Sequence, residues 1–277
     1  MTFLIDLGNS RLKWATLKAD GTLSRQQAMD YAGWKTKDFE RALAKALSTN
    51  PEVWVASVAA PSTRANLVRA ANRLCGKPPN FIDTTRACAG VINGYRDPWR
   101  LGVDRWMALI GARAISPRRT VLVADIGTAL TLDVLQSDGG HAGGVIIPGA
   151  DLMRQSLLHS TGGIRERAGG IRSKAIGRGH QGSRLAVSWQ ARNTADAIQF
   201  GTQLAVAAAI DAAYAAHRAQ RPKLLLTGGG SETVQDLLRS PCVLVPDLVL
   251  QGLACAVRDA APRATRSRRA RVPRPVT

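Results

Sequence analysis

Three carboxylates in this chain stand where short polar turns interrupt apolar runs. Asp6 lies in "IDLGNSRLKW" (5–14), ahead of Leu7, Gly8, Asn9, Ser10, Arg11, Leu12 and Lys13. Asp125 lies in "ADIGTAL" (124–130), ahead of Gly127 and Thr128. Asp104 lies in "GYRDPWRLGVDRWMALIGA" (94–112), with Gly102 and Val103 before it and Arg105 after it. A glycine lets backbone N–H groups approach an anion closely, and short hydroxyl or amide residues donate to its oxygens. A carboxylate repels phosphate, so Asp6 and Asp125 suit a cation or its water shell, which in turn holds phosphates. Two such loops face to face would clamp a nucleoside triphosphate. Asp104 has two readings. It is either the cap of a helix, where the macrodipole favours an ionised carboxylate, or a base that accepts a proton from an attacking hydroxyl while Arg105 holds an anionic group. Tyr95 is either a further contact or loop packing. "TGGG" (227–230) brings Gly228 and Gly229, which make either a flat backbone surface for a base or ribose or the entry to a helix.

One Asp-x-Gly is ordinary turn chemistry, so the weight rests on the elements around the pair. "TFLIDLGNSRLKWATLKADG" alternates and is rich in strand formers, which predicts a hairpin with a tight polar first loop. "VWVASVAAP" (53–61) reads as a short buried strand, and the apolar spacing of "RANLVRAANRL" and "RWMALIGARAI" predicts two helices. "TVLVADIGTALTLDVLQSDGG" then repeats the opening. A shift of 119 positions sets Asp125 on Asp6, Gly127 on Gly8, Thr128 on Asn9 and Ala129 on Ser10, and both copies run on to an Asp-Gly turn. "KLLLTGGG" stands to the second copy as "VWVASVAA" stands to the first. The repeat predicts two similarly built α/β halves, 1–116 and 117–258, with residues 259–277 as a basic disordered tail.

The chain has 277 residues, 45% of them apolar, enough for a full core, and its composition is globular. No apolar run approaches the roughly 20 residues of a membrane span and no leader pattern opens the chain, so a soluble cytoplasmic protein is expected. Cys75, Cys88, Cys242 and Cys255 are scattered, as reduced thiols are rather than a metal site. The formal charge of +18 is the compositional anomaly. Part of it lies in "RATRSRRARVPRPVT", where six arginines stand without an acid; such a tail is either solvated or a binder of polyanions, and nucleic acid is expected only there.

"DLGNSRLK", "GYRDPWRLGVDRW", "DIGTALTLDV", "GGVIIPG" and "TGGG", in this order, resemble the type III pantothenate kinases, a family that also includes Bvg accessory factor proteins. The resemblance covers residues 3 to about 254. It implies an α/β fold of duplicated actin-like, ribonuclease H-like domains of the sugar kinase and actin superfamily, with a nucleotide cleft between them. It further implies a cytoplasmic homodimer that uses ATP with Mg2+ and a monovalent cation, K+ or NH4+, to phosphorylate pantothenate.

Residue by residue, the resemblance makes Asp6 to Lys13 the first phosphate loop, Thr128 a second ATP contact and Asp125 the ligand of the monovalent cation. Mg2+ would bridge the phosphates near Asp6 through water. Gly102, Val103, Asp104 and Arg105 match the substrate motif, with Asp104 as proton acceptor; Tyr95 and Thr194 match pantothenate contacts. Thr194, in "ARNTADAIQFGT", reads from the residues alone as a helix cap. "GGVIIPG" reads alone as a buried strand and turn, and by resemblance as dimer surface. The chain departs from the common form at Ser10, where the family carries Thr. Two other classes stay open: a kinase of the same superfamily for another hydroxyl, and a non-enzymatic regulator or nucleic-acid binder.

Overall fold

A computed structural model describes residues 2–47, 51–161, 163–164, 168 and 190–260. The first of its two five-stranded sheets has the order β3-β2-β1-β4-β5, built from β1 (Thr2–Leu7), β2 (Arg11–Leu17), β3 (Gln27–Asp30), β4 (Glu52–Ser57) and β5 (Asn80–Phe81). A two-stranded ladder follows, β6 (Ala87–Cys88) with β7 (Val91–Ile92). The second sheet has the order β10-β9-β8-β11-β12, built from β8 (Val121–Ile126), β9 (Ala129–Leu135), β10 (His141–Pro148), β11 (Lys223–Thr227) and β12 (Cys242–Leu244). In each sheet a hairpin opens the unit, a third strand extends it antiparallel, and a later strand joins the first in parallel: β1 pairs with β2 and β4, and β8 with β9 and β11. The duplicated frame is thus present in the backbone. Its register slips by one residue inside the hairpin turn, because Leu7 pairs with Leu12 whereas Ile126 pairs with Leu130. Opposite Asp6 stands Lys13; opposite Asp125 stands Thr131.

The helices are α1 (Thr36–Leu47), α2 (Pro61–Cys75), α3 (Val103–Ile115), α4 (Ala150–Ser160), α5 (Thr194–Ala216), α6 (Ser231–Gln235) and α7 (Leu248–Ala260). Pro61 opens α2 with its φ already helical, and Gly76, at φ 68°, closes it in the left-handed conformation that a side chain would resist.

Strand alternation decides which face each functional residue takes. Phe3, Ile5 and Leu7 pack with Phe39, Leu43 and Leu67 of α1 and α2, while Leu4 packs on the opposite side with α3 and α7. Asp6 shares the side of Leu4. In the second sheet Leu122, Ala124 and Ile126 pack with α5, and so do Leu130, Leu132 and Val134. Val121, Val123 and Leu135 take the other face, again with α3 and α7, and Asp125, Thr131 and Asp133 share it. The α3–α7 pair therefore fills the space between the two sheets, and three carboxylates from β1, β8 and β9 point to that same layer. The two helices approach to backbone contact. A Cβ on Gly252 would lie 1.7 Å from the Met107 carbonyl, and one on Gly111 would lie 2.4 Å from that of Leu248. Trp106, Met107, Leu109 and Ile110 are sealed in this layer, each stabilising it by about 1.5–3 kcal/mol.

Two expectations need correction. "GGVIIPG" is not buried: β10 is the edge strand of its sheet, with Val145 and Ile146 52% and 64% exposed. An edge strand has no neighbour to cover its outer side, and an apolar sequence alone does not reveal that. Helix α7 also runs through Ala260, past the start expected for the tail, and Asp259 Oδ2 accepts a hydrogen bond from Ala89 N at 3.0 Å. The remainder of the tail lies outside the described residues. Among the described residues no helix is long and apolar enough to cross a membrane.

Candidate active site

The first polar turn follows β1 directly, and Gly8 N closes it by donating to the Arg11 carbonyl at 3.1 Å. Tyr31 fixes it from beneath, its hydroxyl donating to the Gly8 carbonyl. Lys13, paired across the hairpin with Asp6, brings its Nζ to 3.5 Å from Asp6 Oδ2 in a nearly buried contact. Arg11 pairs across to β3, where its Nε lies 3.1 Å from Asp30 Oδ1. The second turn meets the first: Ser10 Oγ and Thr128 Oγ1 are 2.9 Å apart, a hydroxyl pair joining the two halves.

The glycines after β11 complete the floor. Gly228 has φ +91°, and a Cβ there would lie 2.4 Å from Asp125 Oδ1 and 2.5 Å from the Ile126 carbonyl. One on Gly229 would lie 2.7 Å from Arg11 Nη1. "TGGG" is also a helix entry, since Gly230 precedes α6 and Ser231 Oγ donates to the Gly228 carbonyl at 2.7 Å. The helix-entry reading of the triplet therefore holds, and bare backbone is what lets β11 close on the Asp125 carboxylate.

Asp104 is not the cap of α3. Gly102 precedes the helix and no side chain caps it; Asp104 is the second helical residue, its Oδ1 accepting from Arg105 N at 2.7 Å. The Asp104 carboxylate folds back over Gly102, where a Cβ would stand 2.7 Å from Oδ1. The "GVD" order is thus a steric requirement of that side-chain position.

Electrostatics tie the groups together. Burial pushes the Asp125 carboxyl up to about 6; Lys13 pulls the other way, and the charges of Asp104, Asp6 and Asp133 add to the rise. Burial also raises Asp6, against Lys13 and with Asp104, and it raises Asp104, against the Arg105 N–H and charge. Carboxylates thus outnumber nearby cations in one partly dry cleft. Among the described residues no group of three or more His, Cys, Asp or Glu side chains is arranged to hold a metal by itself. The donor set fits a hard cation that keeps water and takes the rest of its oxygens from phosphates.

Two candidates, Asp133 and His141, have no counterpart among the residues expected from the sequence, and both act on Arg105, which was expected. Arg105 is buried, and its Nε and Nη2 donate to Asp133 Oδ2 and Oδ1 at 2.8 and 2.5 Å, while its Nη1 donates to Tyr95 Oη at 2.8 Å. His141 Nε2 lies 2.9 Å from Asp133 Oδ1, and its ring stacks on Tyr95 with centroids 5.9 Å apart. The available signal was a lone carboxylate at an inward position of the apolar run "LTLDVL"; His141 gave none. Thr194 stands elsewhere, as the first residue of α5, which packs on α4; no hydrogen bond among the described residues joins it to Asp104 or Arg105. The cap there is Asn193, whose side chain accepts from Asp196 N at 2.8 Å, one residue earlier than expected.

The duplicated frame, with both polar turns meeting beside α3, defines an actin-like α/β fold. Solved structures agree on the fold. The chain is similar to a 2-dehydro-3-deoxygalactonokinase candidate from Sinorhizobium meliloti (TM-score 0.55, 15% identity, covering 95% of this chain and 100% of that one). It is also similar to the ADPNP-bound activator of 2-hydroxyisocaproyl-CoA dehydratase from Clostridium difficile (TM-score 0.50, 13% identity, 93% of each chain). Sequence comparison is more specific: the type III pantothenate kinase profile matches residues 2–216. The type III pantothenate kinase of Halorhodospira halophila is 37% identical over 261 residues, 91% of this chain and 96% of that protein. That of Thiobacillus denitrificans is 36% identical over 260 residues, 92% and 96%. The chain belongs to the type III pantothenate kinase family.

Proposed function

We propose that this protein transfers the γ-phosphoryl of ATP to the primary hydroxyl of pantothenate, giving 4′-phosphopantothenate, the first committed step toward coenzyme A. The observation that carries this is the convergence of Asp104 with both polar turns: a carboxyl raised by burial in the first turn of α3, close enough that its charge raises Asp6 and Asp125. A phosphoryl-transfer transition state spreads charge over oxygens, so positioning and charge compensation do most of the work.

In this reading Asp6 to Lys13 and Thr128 surround the phosphates, with the adjoining Ser10 and Thr128 hydroxyls turning from each other to donate to them. Lys13 supplies the fixed positive charge. Gly228 and Gly229 offer bare backbone to the nucleotide. Asp104 accepts the hydroxyl proton of the acceptor, and its raised basicity suits it to that task. Arg105 and Tyr95 hold the pantothenate carboxylate, while Gly102 and Val103 border the acceptor. Mg2+ with ATP and a monovalent cation at Asp125, potassium or ammonium, supply the positive charge that the carboxylates call for. The halves 1–116 and 117–258 act as two lobes about one cleft, in a cytoplasmic enzyme.

A homodimer accords with the exposed apolar residues on β10, Val145 and Ile146, beside Leu152 and Leu157 of α4. It would bring Thr194 to the acceptor site of the partner subunit. Sedimentation that finds a fully active monomer would remove this part. The central test is formation of phosphopantothenate by the purified protein, dependent on ATP and potassium; absence of product with both present would sink the assignment.

A further inference from the structure

Asp133 is a buried carboxylate to which the phosphoryl-transfer chemistry gives no task. It sits in mid-strand on β9, between Val123 of β8 and Gly144 of β10. An ionised group in that place is tolerated only when it is paired. Burial alone would raise its carboxyl, but hydrogen bonds from His141 and Arg105 and the Arg105 charge hold it below the usual range.

Several local departures serve this one contact. A bulge in β10 between His141 and Gly143, with Gly143 at φ +103°, breaks the alternation and turns the His141 ring inward. Gly144 leaves the space that Asp133 and Arg105 occupy, because a Cβ there would lie 2.3 Å from Asp133 Oδ1 and 2.9 Å from Arg105 Nη2. Gly94 lies against the backbone of His141, where a Cβ would stand 1.8 Å from the carbonyl oxygen, and so sets Tyr95 on the imidazole. Of the five guanidinium N–H groups, Asp133 takes two and Tyr95 takes one. One on each Nη is left, which is the pair needed for a two-point grip on a carboxylate.

Resting on the kinase reading above, we propose that Asp133, backed by His141, is the positioning residue for acceptor binding. It fixes the plane of the Arg105 guanidinium so that the two remaining Nη donors meet the acceptor's carboxylate together. Because Asp133 already balances the charge of Arg105, its contribution is orientation rather than attraction. An arginine left free on its stem must give up rotamer freedom each time it binds.

The test is Asp133→Asn, with steady-state kinetics in both substrates. The KM for pantothenate should rise about tenfold or more, each factor of ten being about 1.4 kcal/mol, while the KM for ATP stays within about twofold. His141→Phe keeps the ring stack but removes the donor and should raise the pantothenate KM by less; His141→Gln should recover most of the loss. These two variants carry the test if Asp133→Asn does not fold. By NMR the Arg105 Nε proton should exchange slowly in the wild type and rapidly in Asp133→Asn. An unchanged pantothenate KM in Asp133→Asn, an equal rise for both substrates, or a freely exchanging Nε proton in the wild type would each overturn the proposal and leave the kinase intact. A wild-type protein that does not phosphorylate pantothenate would overturn both.

Discussion

Replacing Asp125 by Asn should stabilise the ligand-free protein at neutral pH while removing its response to ligands. Burial and the charges of Asp104, Asp6 and Asp133 hold the Asp125 carboxyl at about 6 against 3.8 for an ordinary aspartate. Between those values the folded state keeps a proton that the unfolded chain has released, so stability falls as pH rises through that window and stays lowered above about 6. A rise of that size corresponds to about 3 kcal/mol. Asparagine carries no charge and abolishes the loss, the attraction of Lys13 being already counted in the value of about 6, so a gain of up to about 3 kcal/mol is expected above pH 7. For a chain of this size that is several degrees in Tm, at about 2–4 °C per kcal/mol. Melting should be followed from pH 4 to 8 for both proteins, since Asp6 and Asp104 titrate in the same direction and only the difference isolates Asp125. The wild type should then gain about 2.7 kcal/mol with ATP, Mg2+ and potassium at a hundred times Kd, and Asp125→Asn little. Parallel stability curves for the two proteins, or a variant less stable than the wild type at pH 8, would refute the account of Asp125 as a carboxylate kept charged at a cost.

Other substitutions bear on neighbouring parts of the cleft. Asp104→Asn should lower kcat by about 10²–10⁴ with ATP affinity retained, read by coupled ADP release and by nucleotide titration. Gly228→Ala forces a side chain into a left-handed backbone at φ +91° and against Asp125 Oδ1. It should cost about 2–5 kcal/mol in thermal unfolding, from backbone strain and overpacking together. Ser10→Ala should raise the KM for ATP by a few-fold, the worth of a hydrogen bond of about 0.5–1.5 kcal/mol. Ser10→Thr keeps the hydroxyl that lies 2.9 Å from Thr128 and should stay within about twofold of the wild type.

The frame was legible because a buried strand must alternate and a hairpin needs a turn. The two Asp-x-Gly turns and the parallel strand that joins each hairpin follow from those constraints, whereas α3 begins at Val103, two residues ahead of the apolar spacing that announced it. What strand period could not give was the contents of the shared layer. Asp6, Asp125 and Asp133 point to one side only because α1, α2 and α5 cover the other sides, and that is a tertiary fact. The Asp133–Arg105 pair spans 28 positions and joins different elements, so nothing local announced it. His141 was hidden by a bulge, which breaks the alternation that inward residues are read from. The exposure of β10 depended on its being last in the sheet order, a property of topology rather than of its own residues.

The repeat also accounts for why a duplicated frame yields a site with direction. One residue fewer in the second hairpin turn places Thr131 opposite Asp125 where Lys13 stands opposite Asp6, so among the described residues the hairpin of the first half, and not that of the second, brings an ammonium to its aspartate. Asp104, the proposed base, comes from the first half as well, but α3 packs on β8 and β9 as closely as on β4. Its carboxylate is therefore referenced to both polar turns at once. Contact of α3 with α7 through Gly111 and Gly252 fixes that placement in the buried layer between the two sheets. A helix free to shift would relieve the repulsion among Asp6, Asp104 and Asp125 by moving away. Held in place, it leaves the carboxylates crowded, their protons bound too tightly for bulk water to account for, until positive charge arrives with the nucleotide.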